Sequence, residues 1–121
     1  MINYYIDDTQ TLKDAIGVIQ GNCSRSVVVL GKGEKVVGVF TEGDVLRAIL
    51  KGIEIYTPLK DFIRPVFHYL NRYDIGKAYK LAKEKGVTLI PIVNKDLKLM
   101  NVITLDDILS QSVFRRKRSG R

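Results

Sequence analysis

Two short stretches of this chain place a threonine and an aspartate three residues apart at the start of a helical pattern. They are Thr41 and Asp44 in GVFTEGDVLRAI, and Thr104 and Asp107 in NVITLDDIL. A threonine at that junction caps the first turn, whose free amides carry partial positive charge and favour an anion. The aspartate one turn on supplies a carboxylate that can accept both hydroxyl protons of a ribose diol. Phosphate on the amides and sugar on the acid is a nucleotide pattern. The same two residues also make an ordinary capping box, so either pair alone leaves ligand holder and helix cap both open.

The pattern gains weight because it occurs twice. Thr104 follows Thr41 by 63 residues, and Asp107 follows Asp44 by the same 63. Without a gap, that shift also pairs Ala15 with Ala78, Lys32 with Lys95, Lys35 with Lys98, Val39 with Val102 and Leu46 with Leu109. It sets Val27, Val29 and Leu30 against Ile90, Ile92 and Val93. The chain is an internal duplication, and two copies of this length suggest paired subdomains rather than a solenoid.

Other chemistry finds little support in the sequence. No Ser/His/Asp or Cys/His arrangement, paired-acid cleft or metal-ligand cluster is visible, so no catalytic and no metal residues are expected. Asp44 and Asp107 read as ligand holders. His68 is the sole histidine and has no Cys or His partner for a metal, although its place leaves room for stacking on a purine. Gly31, Lys32 and Gly33 lack the Gly-Lys-Ser/Thr of a phosphate loop and precede a strand. Cys23, the only cysteine, excludes an internal disulfide and reads as a small semi-buried loop residue.

The elements that must position these residues follow from periodicity. Tyr4 to Ile6 form a short lead-in strand, and Thr11 with Asp14 opens a helix striped by Leu12, Ala15, Ile16 and Ile19 that Gly21 and Asn22 stop. Val27 to Leu30 is continuously apolar and predicts a strand buried on both faces. Residues 31–34 turn it back into Val36 to Phe40, and Val45, Leu46, Ala48, Ile49 and Leu50 read as the apolar face of the next helix. Thr57 and Pro58 predict a capped short helix with Pro58 in its first position, packed by Leu59, Phe62 and Ile63. The second copy repeats the order: a lead-in from Val66 to Leu70, a helix from Ile75 to Lys85 between Asp74 and Gly86, and a hairpin of Thr88 to Val93 with Lys98 to Ile103. Pro91 lacks an amide and predicts an edge or bulge.

Each half resembles a cystathionine β-synthase type (CBS) motif, whose last helix opens with G-h-h-T/S-x-x-D, where h is apolar. The first half carries it as Gly38, Val39, Phe40, Thr41, Glu42, Gly43 and Asp44; the second has Asn101 in the Gly position and keeps Thr104 and Asp107. The resemblance spans Asn3 to Val113. It implies an α/β (α+β) fold of two β-α-β-β-α motifs about a pseudo-twofold axis, with motif one at 1–56, motif two and its connector at 57–113, and a basic tail at 114–121. It also implies AMP, ADP or ATP as a regulatory ligand in two crossed clefts, with no required cofactor. Thr41 and Asp44 would serve a nucleotide lying against His68, Tyr69, Val87 and Thr88. Thr104 and Asp107 would hold one whose base meets Tyr5, Ile6, Ser24 and Arg25, in a cleft that Asn101 could crowd. Homodimerisation into a flat disc through apolar helix faces is a further implication. The stretch TEGDVLRAILKGIEIYTPLKDFI is most similar to the CBS pair preceding a sugar nucleotidyltransferase domain.

Charge bounds the alternatives. The net charge is +7, but Arg115, Arg116, Lys117, Arg118 and Arg121 sit together near the end, leaving 15 basic residues against 13 acidic elsewhere. That tail lacks interleaved aromatics for stacking on single strands, so a solvated tail is expected over a nucleic-acid contact. No apolar run of membrane-spanning length and no signal pattern is present, and a single cysteine fits a cytoplasmic location. The rival readings are a dimerisation module with empty clefts and a nucleic-acid binder acting through the tail.

Overall fold

Thr11 and Thr41 each begin a helix by the same reciprocal device. The Thr11 hydroxyl accepts the Asp14 amide while the Asp14 carboxylate accepts the Thr11 amide, and Thr41 and Asp44 close the same box. The computed structural model describes residues 2–111, so the basic tail lies outside the described residues. The first half runs β1 (Tyr5–Asp7), α1 (Leu12–Asn22), β2 (Ser26–Leu30), β3 (Val36–Thr41) and α2 (Glu42–Leu50). The second runs α3 (Ile75–Lys85), β4 (Leu89–Val93), β5 (Leu99–Thr104) and a helix α4 over residues 105–111. In the first sheet β1 lies parallel to β2, which pairs antiparallel with β3; β4 and β5 form an antiparallel pair of their own.

Strand periodicity divides the core into three. Val27 and Val29 point into the first half, where they meet Ile6, Leu12, Ala15, Phe40 and Leu59. Their copies Ile90 and Ile92 meet Ala78, Ile103 and Ile108 in the second. Val28 points the other way, into a shared layer with Val36, Leu89 and Val93. Against that layer pack Tyr4 and Phe67, Val39 and Val102, and Leu99, the copy of Val36. Lys35 bridges Lys98, a residue paired with its own copy, as a twofold relation between the halves requires. Burial of β2 and β4 on both faces therefore has a cause: one face serves its own half and the other serves the seam.

Four local expectations are corrected. Pro58 occupies the cap position rather than the first helical one, Thr57 does not cap, and Leu59–Asp61 forms a single 3-10 turn. The lead-in of the second half shrinks to one bridge, Leu70 with Ile92. In the first half the Val28 amide donates to the Tyr4 carbonyl at 2.8 Å; the copy of Val28 is Pro91, which has no amide to give. Only Ala48 of the α2 stripe is buried; Leu46, Ile49 and Leu50 are exposed, because no element among the described residues covers that side. Cys23 is exposed, since it takes the left-handed position that ends α1.

The connector is tied down along its length. Leu59 is fully buried and its amide donates to the Gln10 carbonyl at 2.8 Å, while Phe62 meets Phe40 edge-on at 5.8 Å. Beneath it, a Cβ at Gly38 would come within 3.1 Å of Ile63 Cδ1 and 3.2 Å of the Arg64 carbonyl oxygen. Glycine at the head of the GVFT signature is thus where the connector crosses β3 in contact with its backbone.

Candidate functional site

The connector's passage over β3 brings Arg64 to Phe67 alongside the start of α2. Together with the segment after α3, they enclose a cleft of about 470 Å3. That lies within the roughly 300–1,000 Å3 usual for small-molecule sites. Thr41 and Asp44 form one wall; His68, Val87 and Thr88 come from the other half. Five of the six residues expected around this cleft therefore line it. Tyr69 does not: it is partly exposed and its ring packs at 5.5 Å on Phe67. Thr88 is also a clasp, donating its hydroxyl to the Ser24 carbonyl and lying 3.3 Å from the Ser26 hydroxyl.

The residues expected around the other cleft scatter more. Arg25 lines the Thr41 cleft. Ile6 is 3% exposed and its side chain belongs to the first core, so its side chain is spent on packing. Ser24 is buried, its amide bound to Asn22 Oδ1 at 2.8 Å, while Tyr5 is exposed. Thr104 and Asp107 repeat the box, with the Thr104 amide donating to Asp107 Oδ2 at 2.8 Å. Burial and then the charges of Asp107 and Asp106 push the Tyr4 phenol up. Asn101 is exposed and its side-chain oxygen accepts the Val102 amide at 2.8 Å.

Each carboxylate oxygen of Asp44 has one protein donor and keeps an acceptor site for a ligand hydroxyl. Its Oδ2 accepts the Thr41 amide at 2.9 Å, and its Oδ1 accepts from Arg47 Nη2 at 2.6 Å, with Arg64 Nη2 at 3.9 Å. Burial pushes this carboxyl up, but the Arg47 hydrogen bond, the Thr41 amide and hydroxyl, and the Arg47 charge together hold it below the usual carboxylate range. A depressed folded-state pKa means that the ionised form favours folding. The contribution is complete above the unfolded value of about 3.9 and is lost as pH falls through the lower folded value. Melting temperatures taken from pH 5 down to pH 2 should therefore fall less steeply in Asp44→Asn than in the unaltered chain.

Arg47, Arg64 and Lys85 also line the cleft, and the sequence pattern did not single them out. Arg47 had a readable signal, since it lies three residues from Asp44 on one helix face. Arg64 and Lys85 had none, because the crossing of the connector and the end of α3 bring them in from a distance. Among the described residues, no group of three or more His, Cys, Asp or Glu could hold a metal, and no helix is long and apolar enough to cross a membrane.

A duplicated α/β unit whose halves share a core and face each other across a cleft defines a tandem two-motif module. The CBS domain family model matches residues 3–51 and 59–113, and the chain belongs to that family. CBS domains are regulatory modules, and this chain is a CBS pair. Among solved structures, it superposes on an acetoin utilization protein (AcuB) of Vibrio cholerae with a TM-score of 0.80 and 18% identity, covering 98% of this chain and 88% of that one. A CBS domain protein of Pyrobaculum aerophilum complexed with AMP gives a TM-score of 0.71 and 18% identity, covering 88% and 83%. In sequence, the chain is 29% identical over 104 residues to a homoserine O-acetyltransferase of Methanobrevibacter ruminantium, which is 85% of this chain and 21% of that protein. The chain thus spans less than half the length of the curated relatives it matches.

Proposed function

We propose that this chain is a regulatory, non-catalytic module that binds an adenine nucleotide, AMP, ADP or ATP, in the cleft between its two motifs. The observation that carries this reading is the crossed construction of the site: Thr41 and Asp44 of one half face His68, Val87 and Thr88 of the other. A ligand spanning that seam touches both halves, so it can favour one relative arrangement over another if it binds them unequally. Thr104 and Asp107 are assigned the same role in the second cleft. The AMP held by the Pyrobaculum neighbour supports the choice of ligand class.

The module would control an enzyme to which it is linked. The similarity of TEGDVLRAILKGIEIYTPLKDFI to the pair preceding a sugar nucleotidyltransferase favours that enzyme class. Calorimetric titration of the purified chain with AMP, ADP and ATP, repeated on Asp44→Ala, tests the nucleotide reading. Saturable binding weakened by the substitution is expected, and absence of heat with all three sinks it. The favoured alternative would then be a dimerisation scaffold, since Leu46, Ile49 and Leu50 of α2 stand exposed.

Homodimerisation is part of the proposal. Leu46, Ile49 and Leu50 of α2 are exposed at spacings of three and four residues, and Leu109, the copy of Leu46, is exposed on α4. Such a stripe is the kind of surface a symmetric contact buries. Sedimentation at the mass of two chains is expected, shifting to one chain in Leu46→Glu/Ile49→Glu; a single-chain mass for the unaltered protein would refute the dimer.

A further inference from the structure

Leu46 belongs to two features at once. It stands in the exposed stripe of α2, and with Ile16, Ile19 and Gln20 of α1 and Glu42 and Val45 of α2 it lines a groove of about 500 Å3 between those helices. Glu42 is the one charged residue lining that groove, and it lines the Thr41 cleft as well. Groove and cleft therefore meet at a single exposed carboxylate.

The duplication lets the corresponding face of the second half be read residue by residue. At the shift of 63, the groove residues become Tyr79, Ala82, Lys83, Leu105, Ile108 and Leu109. The changes reverse the character of the face. Tyr79 is 49% exposed where Ile16 packs against the first core, so a projecting ring replaces part of a groove. The acid at Glu42 gives way to Leu105, and the neutral Gln20 gives way to an exposed Lys83. One face is a hollow with an anion, and the other a projection with a cation.

A chain built of two related halves can pair with a second copy in two symmetric ways. Either like halves meet, or the first half of each copy meets the second half of the other. Like pairing puts two Glu42 carboxylates into one apolar contact and two Lys83 ammonium groups into the other. It also brings together two copies of α3, which holds Lys77, Lys80, Lys83 and Lys85 against Glu84 alone. Like charges facing each other across a contact oppose it. Unlike pairing instead sets Glu42 against Lys83 and Tyr79 against the groove, and the twofold axis repeats the contact. The lysine-rich α3 then meets α1, whose Lys13 and Asp14 balance.

Building on the homodimer reading above, we infer that two copies pack head to tail, the groove between α1 and α2 of each taking the face of α3 and α4 of the other. Lys83 of the partner subunit pairs with Glu42 and so stands at the rim of the Thr41 cleft. The second chain thereby borders the ligand site of the first.

Sedimentation equilibrium of the unaltered chain, Glu42→Lys, Lys83→Glu and the double variant tests the orientation, with circular dichroism checking that each folds. Each single substitution should raise the dimer dissociation constant by about tenfold or more, and the double variant should return to within about threefold of the unaltered chain. Like pairing predicts no weakening by either single change, since one pair of like charges replaces another. Disulfide formation reads the same contact directly. In a Cys23→Ser background, Glu42→Cys chains mixed with Lys83→Cys chains should form a covalent dimer that neither forms alone. Unweakened single variants, no recovery in the double variant, self-linking of either chain or no link in the mixture would overturn the head-to-tail arrangement, while a two-chain mass keeps the homodimer standing. A single-chain mass for the unaltered protein overturns both and leaves the groove to a different partner.

Discussion

Leu59→Ala should lower the stability of this chain by about 2–5 kcal/mol, the range for removing a fully buried leucine side chain. Leu59 sits in a connector, where substitutions are usually tolerated. Here it is completely buried against the first core, beside residues from β1, α1, β2 and β3. Truncation removes its contacts and leaves a cavity at the place where the connector is pinned, with the Leu59 amide still bound to Gln10. At roughly 4 °C per kcal/mol for a domain of this size, melting should fall by about 8–20 °C. Lys60→Ala, one residue on and exposed, should shift it by no more than about 0.5 kcal/mol. A connector acting only as a tether would show no difference between the two, and that result would refute the account of the core. The loss should also weaken ligand binding, because the same segment delivers Arg64 to His68 to the cleft.

Asp44→Ala should weaken adenine-nucleotide binding by about 10- to 150-fold, the equivalent of losing a charge-assisted hydrogen bond of about 1.5–3 kcal/mol. The substitution removes the acceptor for the ribose hydroxyls and leaves Arg47 without its counter-charge at the positive end of α2. It also removes a helix cap, so a fall in affinity could reflect a loosened helix alone. Asp14 provides the separation. It closes the same box with Thr11 at the start of α1 and does not line the cleft. Asp14→Ala should therefore lower the melting temperature through its lost cap and leave the affinity unchanged. Equal losses of affinity in both variants would reduce Asp44 to a cap.

The elements governed by local chemistry were legible in the sequence. The boxes at Thr11 and Thr41, the cap at Asp74 and the left-handed glycine at Gly86 all appear where their residues predicted them. Val27 to Leu30 is buried on both faces as its continuous apolar character required, and the mixed α and β order of two CBS motifs follows from the duplication. What stayed hidden depends on packing between distant segments. The periodicity of α2 reports an apolar stripe but not whether anything covers it, and Leu46, Ile49 and Leu50 remain exposed. The cleft's cations were obscure for a related reason: Arg64 and Lys85 reach it only because the connector crosses β3 at Gly38 and α3 ends across the seam. Arg25 lines the Thr41 cleft because its carbonyl accepts the Glu42 amide at 2.9 Å, which fixes it beside the first turn of α2.

The proline at residue 91 has a mechanical consequence. Each cleft wall is only as stiff as the backbone ladder behind it. In the first half the lead-in is laced to β2 over three residue pairs, whereas in the second Leu70 alone joins β4. Val66, Phe67 and His68, which border the Thr41 cleft, therefore lack a strand ladder behind them. What holds this wall in place of a ladder is the packing of Phe67 into the layer shared by the two halves.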